Sequence, residues 1–157
     1  MDLGFVSAIL PELTFEELVD CAAELGYKSI EVCCWPLGKA ERRYAGVSHI
    51  DVETLDAEGA GRILDLCRQN RIDISALGYY PNPLDPDEEK RKVYADHLIK
   101  VIDAAALLGV NKINTFIGRD KKKSVDENFE IFHRVWPEII WHAGERNVKV
   151  GIENCPM

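Results

Sequence analysis

Apolar residues recur along this chain in two rhythms, short continuous runs and helical stripes, and their order predicts the fold. Leu3 to Ile9 is an apolar run ended by Pro11 and reads as a first strand. Thr14 followed by Glu17 makes a capping box that opens a helix. Phe15, Leu18, Val19, Ala22 and Leu25 share one face of that helix, and Gly26 follows where a left-handed cap is usual. Ser29 to Cys33 is strand-like, whereas Trp35 to Val52 mixes Gly, Pro, charge and Tyr without sustained periodicity, as a long loop does. Ala60, Ile63, Leu64 and Cys67 mark a second amphipathic helix, and Ile72, Ile74, Ala76 and Leu77 a third strand that ends at Gly78.

After the loop Tyr79 to Pro86, a third helix is expected from about Asp87 to Leu108. Tyr94, Leu98, Val101, Ile102, Ala105 and Leu108 lie on one face and Gly109 closes it. Val110 to Phe116 is the fourth strand. Ser124 and Glu127 form another capping box, and Phe129, Phe132, Trp136, Ile139, Ile140 and Ala143 are the expected buried stripe of a fourth helix. Pro137 is expected to kink that helix or break it in two. Val148 to Ile152 is a fifth strand, followed by Glu153 to Met157 with no helix over it.

Strands alternating with helices imply right-handed crossovers and a mainly parallel sheet, either doubly wound or a (β/α) barrel. Eight barrel units take about 250 residues, so five eighths is roughly 156, and the chain has 157. A flavodoxin-like domain would normally finish with a helix over its last strand. The expectation is therefore an α/β chain forming a partial barrel of about five strands and four helices, one domain over residues 1–157, with its strands in the spatial order 1 to 5. Phe5 and Ser7 alternate with Val6 and Ala8 along the first strand, and which pair faces the barrel interior stays open.

Composition narrows the function classes. With 46% hydrophobic and 29% charged residues the chain suits an ordinary folded domain, which excludes disorder as a general reading. The net charge of −8 disfavours a nucleic-acid partner. Five cysteines, Cys21, Cys33, Cys34, Cys67 and Cys155, include no C-x-x-C pair and read as reduced thiols. No apolar run approaches a membrane span, and Asp2 stands where a signal peptide would want basic residues, so the cytoplasm is the expected compartment.

In either fold the residues just past each strand face the ligand. They are Trp35, His49, Tyr79, Tyr80, Asn82, Asn114, Arg119, Asp120, Glu153 and Asn154. Glu153, directly after the run Val148 to Ile152, is placed either to ligate a divalent ion and move a proton, or simply to begin a turn.

Five segments carry a resemblance: Leu3-Gly4-Phe5-Val6-Ser7, Val32-Cys33-Cys34-Trp35-Pro36, Ala76 to Leu84, Asn114 to Asp120, and Gly151-Ile152-Glu153-Asn154-Cys155-Pro156-Met157. Together they make the whole chain resemble the xylose-isomerase-like TIM barrels, which include sugar and sugar-phosphate isomerases and epimerases and endonuclease IV-type hydrolases. The resemblance implies that Glu153 is the first of four metal ligands, the others coming from later strands that this sequence does not contain. It also implies a divalent ion, commonly Mn, Mg or Co with Zn a further candidate, holding a sugar carbonyl and hydroxyl for an enediolate or hydride-shift step. Glu153 would be both ligand and base. Trp35 and Tyr79 would wall the substrate, while Asn114 and Arg119 would bond its hydroxyls or a terminal anionic group. His49, in the long loop with Arg42, Arg43 and Tyr44, is a further substrate-binding candidate.

The endonuclease branch needs histidines at the ends of the third and fourth strands, where this chain has Tyr79 and Phe116, and so ranks below sugar isomerisation. The competing reading is a non-catalytic partial-barrel module that binds a ligand without turning it over. On either reading the open barrel edges invite self-association, and the chain alone is expected to be inactive. His97 reads as a hydrogen-bonded residue beneath its helix, and Lys121 to Lys123 as a solvated turn before the Ser124 cap, with a phosphate-holding role as the alternative. His133 and His142 take no functional role, and Trp136 and Trp141 are assigned to helix packing.

Overall fold

The computed structural model describes residues 2–38 and 45–153; Arg42, Arg43 and Tyr44 of the long loop, and Asn154 and Cys155, lie outside the described residues. Strands β1 (Gly4–Val6), β2 (Ser29–Cys33), β3 (Asp73–Gly78), β4 (Lys112–Phe116) and β5 (Lys149–Glu153) alternate with helices α1 (Phe15–Glu24), α2 (Ala57–Asn70), α3 (Glu88–Leu107) and α4 (Val125–Glu145). The strands form one parallel sheet in the order β1-β2-β3-β4-β5, which is the barrel order and not the flavodoxin order. Both predicted capping boxes are present, Thr14 with Glu17 and Ser124 with Glu127, and they start α1 and α4 as the orphan amides of a first turn require.

The period of two along each strand sorts its side chains between two environments. Ile30, Val32, Leu77 and Ile113 are buried in the same core as Leu18 and Val19 of α1, Leu98 and Ile102 of α3, and Trp136 and Ile139 of α4. Each such fully buried side chain contributes about 1.5–3 kcal/mol. Phe5 joins the helix side, its ring 5.0 Å from that of Tyr27, and this settles the orientation of the first strand. Between β2 and β3 the register shifts, Ile30 pairing with Ile74 but Glu31 with Ala76. The slip leaves Ser75 outside the pairing and puts Gly78 opposite Cys33.

Several expectations are corrected. The first strand is only three residues long, because the chain turns into a 3-10 turn at Ser7–Ile9. The Ser7 hydroxyl there accepts the Cys33 amide at 2.9 Å, and the Ser7 carbonyl accepts the Leu10 amide at 3.0 Å. Pro137 does not break α4, which runs unbroken through it. Trp136 and Ile139, each 1% exposed, pin both sides of the proline to the core, and that burial outweighs the roughly 3 kcal/mol a helical proline costs. The buried stripe of α4 is Ile131, Trp136, Ile139 and Ala143, turned toward α3 and the sheet. Phe129, Ile140 and Trp141 are exposed at 51%, 49% and 67%, so Trp141 does not take part in the packing assigned to it. No helix among the described residues is long and apolar enough to cross a membrane.

Candidate functional site

On the sheet face away from the helices, four polar side chains converge from four elements. Glu31 comes from the middle of β2, Tyr80 from just past β3, Asn114 from β4 and Glu153 from the end of β5. The Asn114 amide donates to Glu31 Oε2 at 2.6 Å, and the Tyr80 hydroxyl lies against Glu31 Oε1 and at 2.9 Å from Glu153 Oε1. Two glycines make the space. A Cβ on Gly78 would stand 2.7 Å from Glu31 Oε1, and one on Gly151 would stand 2.4 Å from Asn114 Oδ1. Register explains the convergence, since Asn114 pairs with Gly151 and Phe116 with Glu153, putting the β4 and β5 members on one face.

Burial pushes the Tyr80 phenol well above its usual range, and the Glu31 and then the Glu153 carboxylate push it the same way, so it stays protonated. One hydroxyl proton thus serves two carboxylates, and the cluster is rich in acceptors. It suits hydroxyl-bearing molecules, whose O–H groups can supply the missing donors. Glu31 was absent from the residues expected from the sequence, although a signal existed: a charged residue between Ile30 and Val32 must occupy the face opposite those two.

The donor set does not by itself fit a metal ion. Among the described residues no three His, Cys, Asp or Glu side chains group closely enough to hold one, and Glu31 and Glu153 offer two carboxylates where a hard divalent ion takes six or more oxygens. Burial pushes the Cys33 thiol up to about 11 and the Cys34 thiol well up, so neither is a ready thiolate ligand.

The remaining expected residues lie elsewhere. Tyr79 and Tyr80 are consecutive and point to opposite sides, so Tyr79 joins Trp35 rather than Glu153. Trp35 meets Tyr79 edge-on with ring centroids 4.9 Å apart, and Tyr79, itself buried, meets His97 at 4.6 Å. Trp35, Tyr79 and Arg119 line a cleft of about 600 Å³ between the loops after β2, β3 and β4, and neither Asn114 nor Glu153 lines it. His49 is in neither group. It lines a separate groove beside the N-terminal ends of α1 and α2, where its Nε2 donates to the Leu10 carbonyl at 3.1 Å and burial lowers its pKa. His97 lies buried beneath α3 with its Nε2 donating to the Cys34 carbonyl at 2.9 Å, a packing role as the helical spacing predicts.

The sequence profile of the xylose isomerase-like TIM barrel matches residues 19–157. The chain belongs to that family. The uncharacterised protein YfiH of Bacillus subtilis (strain 168) is 26% identical over 144 residues, which are 89% of this chain and 44% of YfiH. Among solved structures, the probable 3-DHS dehydratase AsbF of Bacillus anthracis superposes with a TM-score of 0.73 at 16% identity, covering 99% of this chain and 53% of AsbF. D-psicose 3-epimerase of Clostridium cellulolyticum H10, solved with D-tagatose, gives 0.69 at 15% identity over 97% of this chain and 52% of its own. The IolI protein with a bound zinc atom gives 0.67 at 16% identity over 97% and 51%. These likenesses show the shared fold. The chain spans about half the length of the relatives it matches.

Proposed function

We propose that this chain is the N-terminal part of a sugar isomerase or epimerase that works through a carboxylate on the inner face of its barrel. The observation that carries the reading is the polar cluster on the sheet face away from the helices, where Glu153 is held by Tyr80 within the network of Glu31 and Asn114. Family membership and the epimerase among the solved neighbours support the substrate class.

In this reading a sugar lays its hydroxyls against the acceptor-rich cluster. Glu153, with one oxygen tied to Tyr80, accepts a carbon-bound proton next to a carbonyl and returns it. Asn114 and Glu31 orient the neighbouring hydroxyls. A divalent ion belongs to the proposal, Mn, Mg or Co by the family resemblance and Zn by the bound atom in IolI; it would stabilise negative charge on the sugar oxygens when bound. Glu153 would supply one of its oxygens. Trp35, Tyr79, Arg119 and His49 are not assigned to the reacting end, because the cleft lined by the first three and the groove lined by His49 are not lined by Glu153. A small-molecule partner in the cytoplasm suits the four free cysteines among the described residues.

The test is epimerisation and aldose–ketose exchange on a panel of sugars by the protein encoded by the whole reading frame, with metal added and chelated. Glu153→Gln should lower turnover by at least about a thousandfold, in the range set by loss of a general base and a charge-stabilising group, with the fold intact. Activity that survives both chelation and Glu153→Gln refutes the proposal.

A further inference from the structure

The loop after β2 is attached to the rest of the fold in two places. Near β2, Ser48 bridges to Cys34, the His49 amide donates to the Cys33 carbonyl at 3.0 Å, and the Val47 carbonyl accepts the Trp35 amide at 3.3 Å. Farther along, Asp51 shapes a turn by accepting the Glu53 amide at 3.0 Å and the Thr54 hydroxyl at 2.8 Å. The turn brings the half-exposed Glu53 side chain to α3, where its Oε1 accepts from Lys100 Nζ at 2.7 Å.

His97, one turn of α3 before Lys100, faces the same oxygen, its Nδ1 standing 3.6 Å from Glu53 Oε1. The residue is 3% exposed and its ring orientation is fixed. Nε2 lies 2.9 Å from the Cys34 carbonyl, which can only accept, so Nε2 carries the proton of the neutral ring and Nδ1 is a bare lone pair. Two acceptors at 3.6 Å make no hydrogen bond. Nδ1 is accordingly buried without a hydrogen-bond partner among the described residues. One added proton would turn it into a donor aimed at Glu53. A charge-assisted bond of this kind is about 2.7–2.9 Å long, so closing it takes a movement of only about 0.8 Å.

The groups around the ring set when that proton arrives. Burial opposes it most, the Cys34 carbonyl and the Glu53 carboxylate favour it, and the Lys100 ammonium opposes it; the balance holds the His97 pKa below its usual value. Burial pushes the Tyr79 phenol, whose ring lies 4.6 Å away, and the Cys34 thiol upward, so both stay neutral. The ring is therefore uncharged at neutral pH and takes up its second proton as the pH falls.

We propose that His97 and Glu53 form a proton-operated latch that draws the loop after β2 onto α3 in acidic surroundings. His97 also backs the aromatic wall made by Tyr79 and Trp35, and Trp35 is tied to the loop through Val47, so the latch couples the loop to the rim of the cleft that these rings line. With Glu53 half exposed, the pair is worth about two- to fivefold in an equilibrium constant, as exposed ion pairs are. By linkage, the proton favours the fastened loop by the same factor as the fastened loop favours the proton.

The experiment is hydrogen–deuterium exchange read by mass spectrometry on the 157-residue protein at about pH 7.5 and about pH 5, which bracket the ordinary histidine pKa, each rate being divided by that of an unstructured peptide at the same pH. Exchange at the imidazole C2 carbon gives the protonation midpoint of His97, and amide exchange over residues 50–55 gives the opening of the loop. The loop should become about two- to fivefold better protected at the lower pH. Glu53→Gln keeps an acceptor but removes the charge; it should abolish that gain and lower the proton affinity of His97 by the same factor. Lys100→Gln frees the shared oxygen and should enlarge both effects. Glu53 and Lys100 are both about half exposed, so neither substitution disturbs the core. His49 titrates on the same loop in all three proteins, and comparing them removes its contribution. Loop protection that fails to rise on acidification, rises equally in Glu53→Gln, or no longer rises in Lys100→Gln overturns the latch. A His97 midpoint unmoved by Glu53→Gln overturns it as well.

Discussion

Replacing Gly151 by Ala tests the polar cluster with a single methyl group. The ideal Cβ would stand 2.4 Å from Asn114 Oδ1, about 1 Å inside ordinary contact. Its nearest backbone neighbour, the Ile113 carbonyl oxygen, is at 3.4 Å, so the sheet itself can accept the methyl group. Gly151 has no positive φ, and the substitution therefore brings no backbone strain. The Asn114 amide must move, giving up its 2.6 Å bond to Glu31 Oε2. A hydrogen bond to a charged group contributes about 1.5–3 kcal/mol, while the stiffer unfolded chain returns about 0.4–1 kcal/mol. The net expectation is a loss of about 1–2 kcal/mol, read as a lower denaturant midpoint at unchanged slope and fixed protein concentration. In an Asn114→Ala background the clash partner is gone, and Gly151→Ala should cost nothing or stabilise slightly. An equal cost in both backgrounds would show that Asn114 does not occupy the space above Gly151, and the cluster as described would fall.

Two further expectations follow from burial and from the sheet edges. His97 and His49 both have folded-state pKa values lowered chiefly by burial, so the unfolded chain binds protons first; stability should be full above about pH 6.5 and fall as the pH drops below it, by up to about 1.4 kcal/mol per pH unit for each histidine. Denaturation midpoints that stay flat from pH 7 to about 5 would contradict this. Among the described residues β1 pairs only with β2 and β5 only with β4, and Leu3, Val6 and Ile152 are exposed near these edges, so the 157-residue polypeptide should self-associate, whereas a monodisperse monomer in sedimentation at rising concentration would show otherwise.

The chain's local patterns determine most of its architecture. Thr14 with Glu17 and Ser124 with Glu127 act within one turn of helix, and the stripe Leu98, Val101, Ile102 and Ala105 within three, so short-range sterics and hydrogen bonding write these elements directly into the order of residues. The alternation of strand and helix then leaves few topologies, all with a mainly parallel sheet. Glu153 was legible for the same reason, as a carboxylate at the end of an apolar run.

Only the tertiary structure decided which side chains meet. Glu31 touches Tyr80 and Asn114, 49 and 83 residues away, and Glu153 touches Tyr80 across 73. Those meetings depend on strand register, and register here includes the slip past Ser75 that aligns Gly78 with Cys33. Tyr79 and Tyr80 look alike in the sequence, yet the pleat sends one to the aromatic wall and the other to the carboxylates. Likewise the rotation of α4 that leaves Trp141 outside is set by the joint surface of α3 and the sheet. A hydrophobic period gives a helix its face, but only its neighbours determine how far around that face the contact extends.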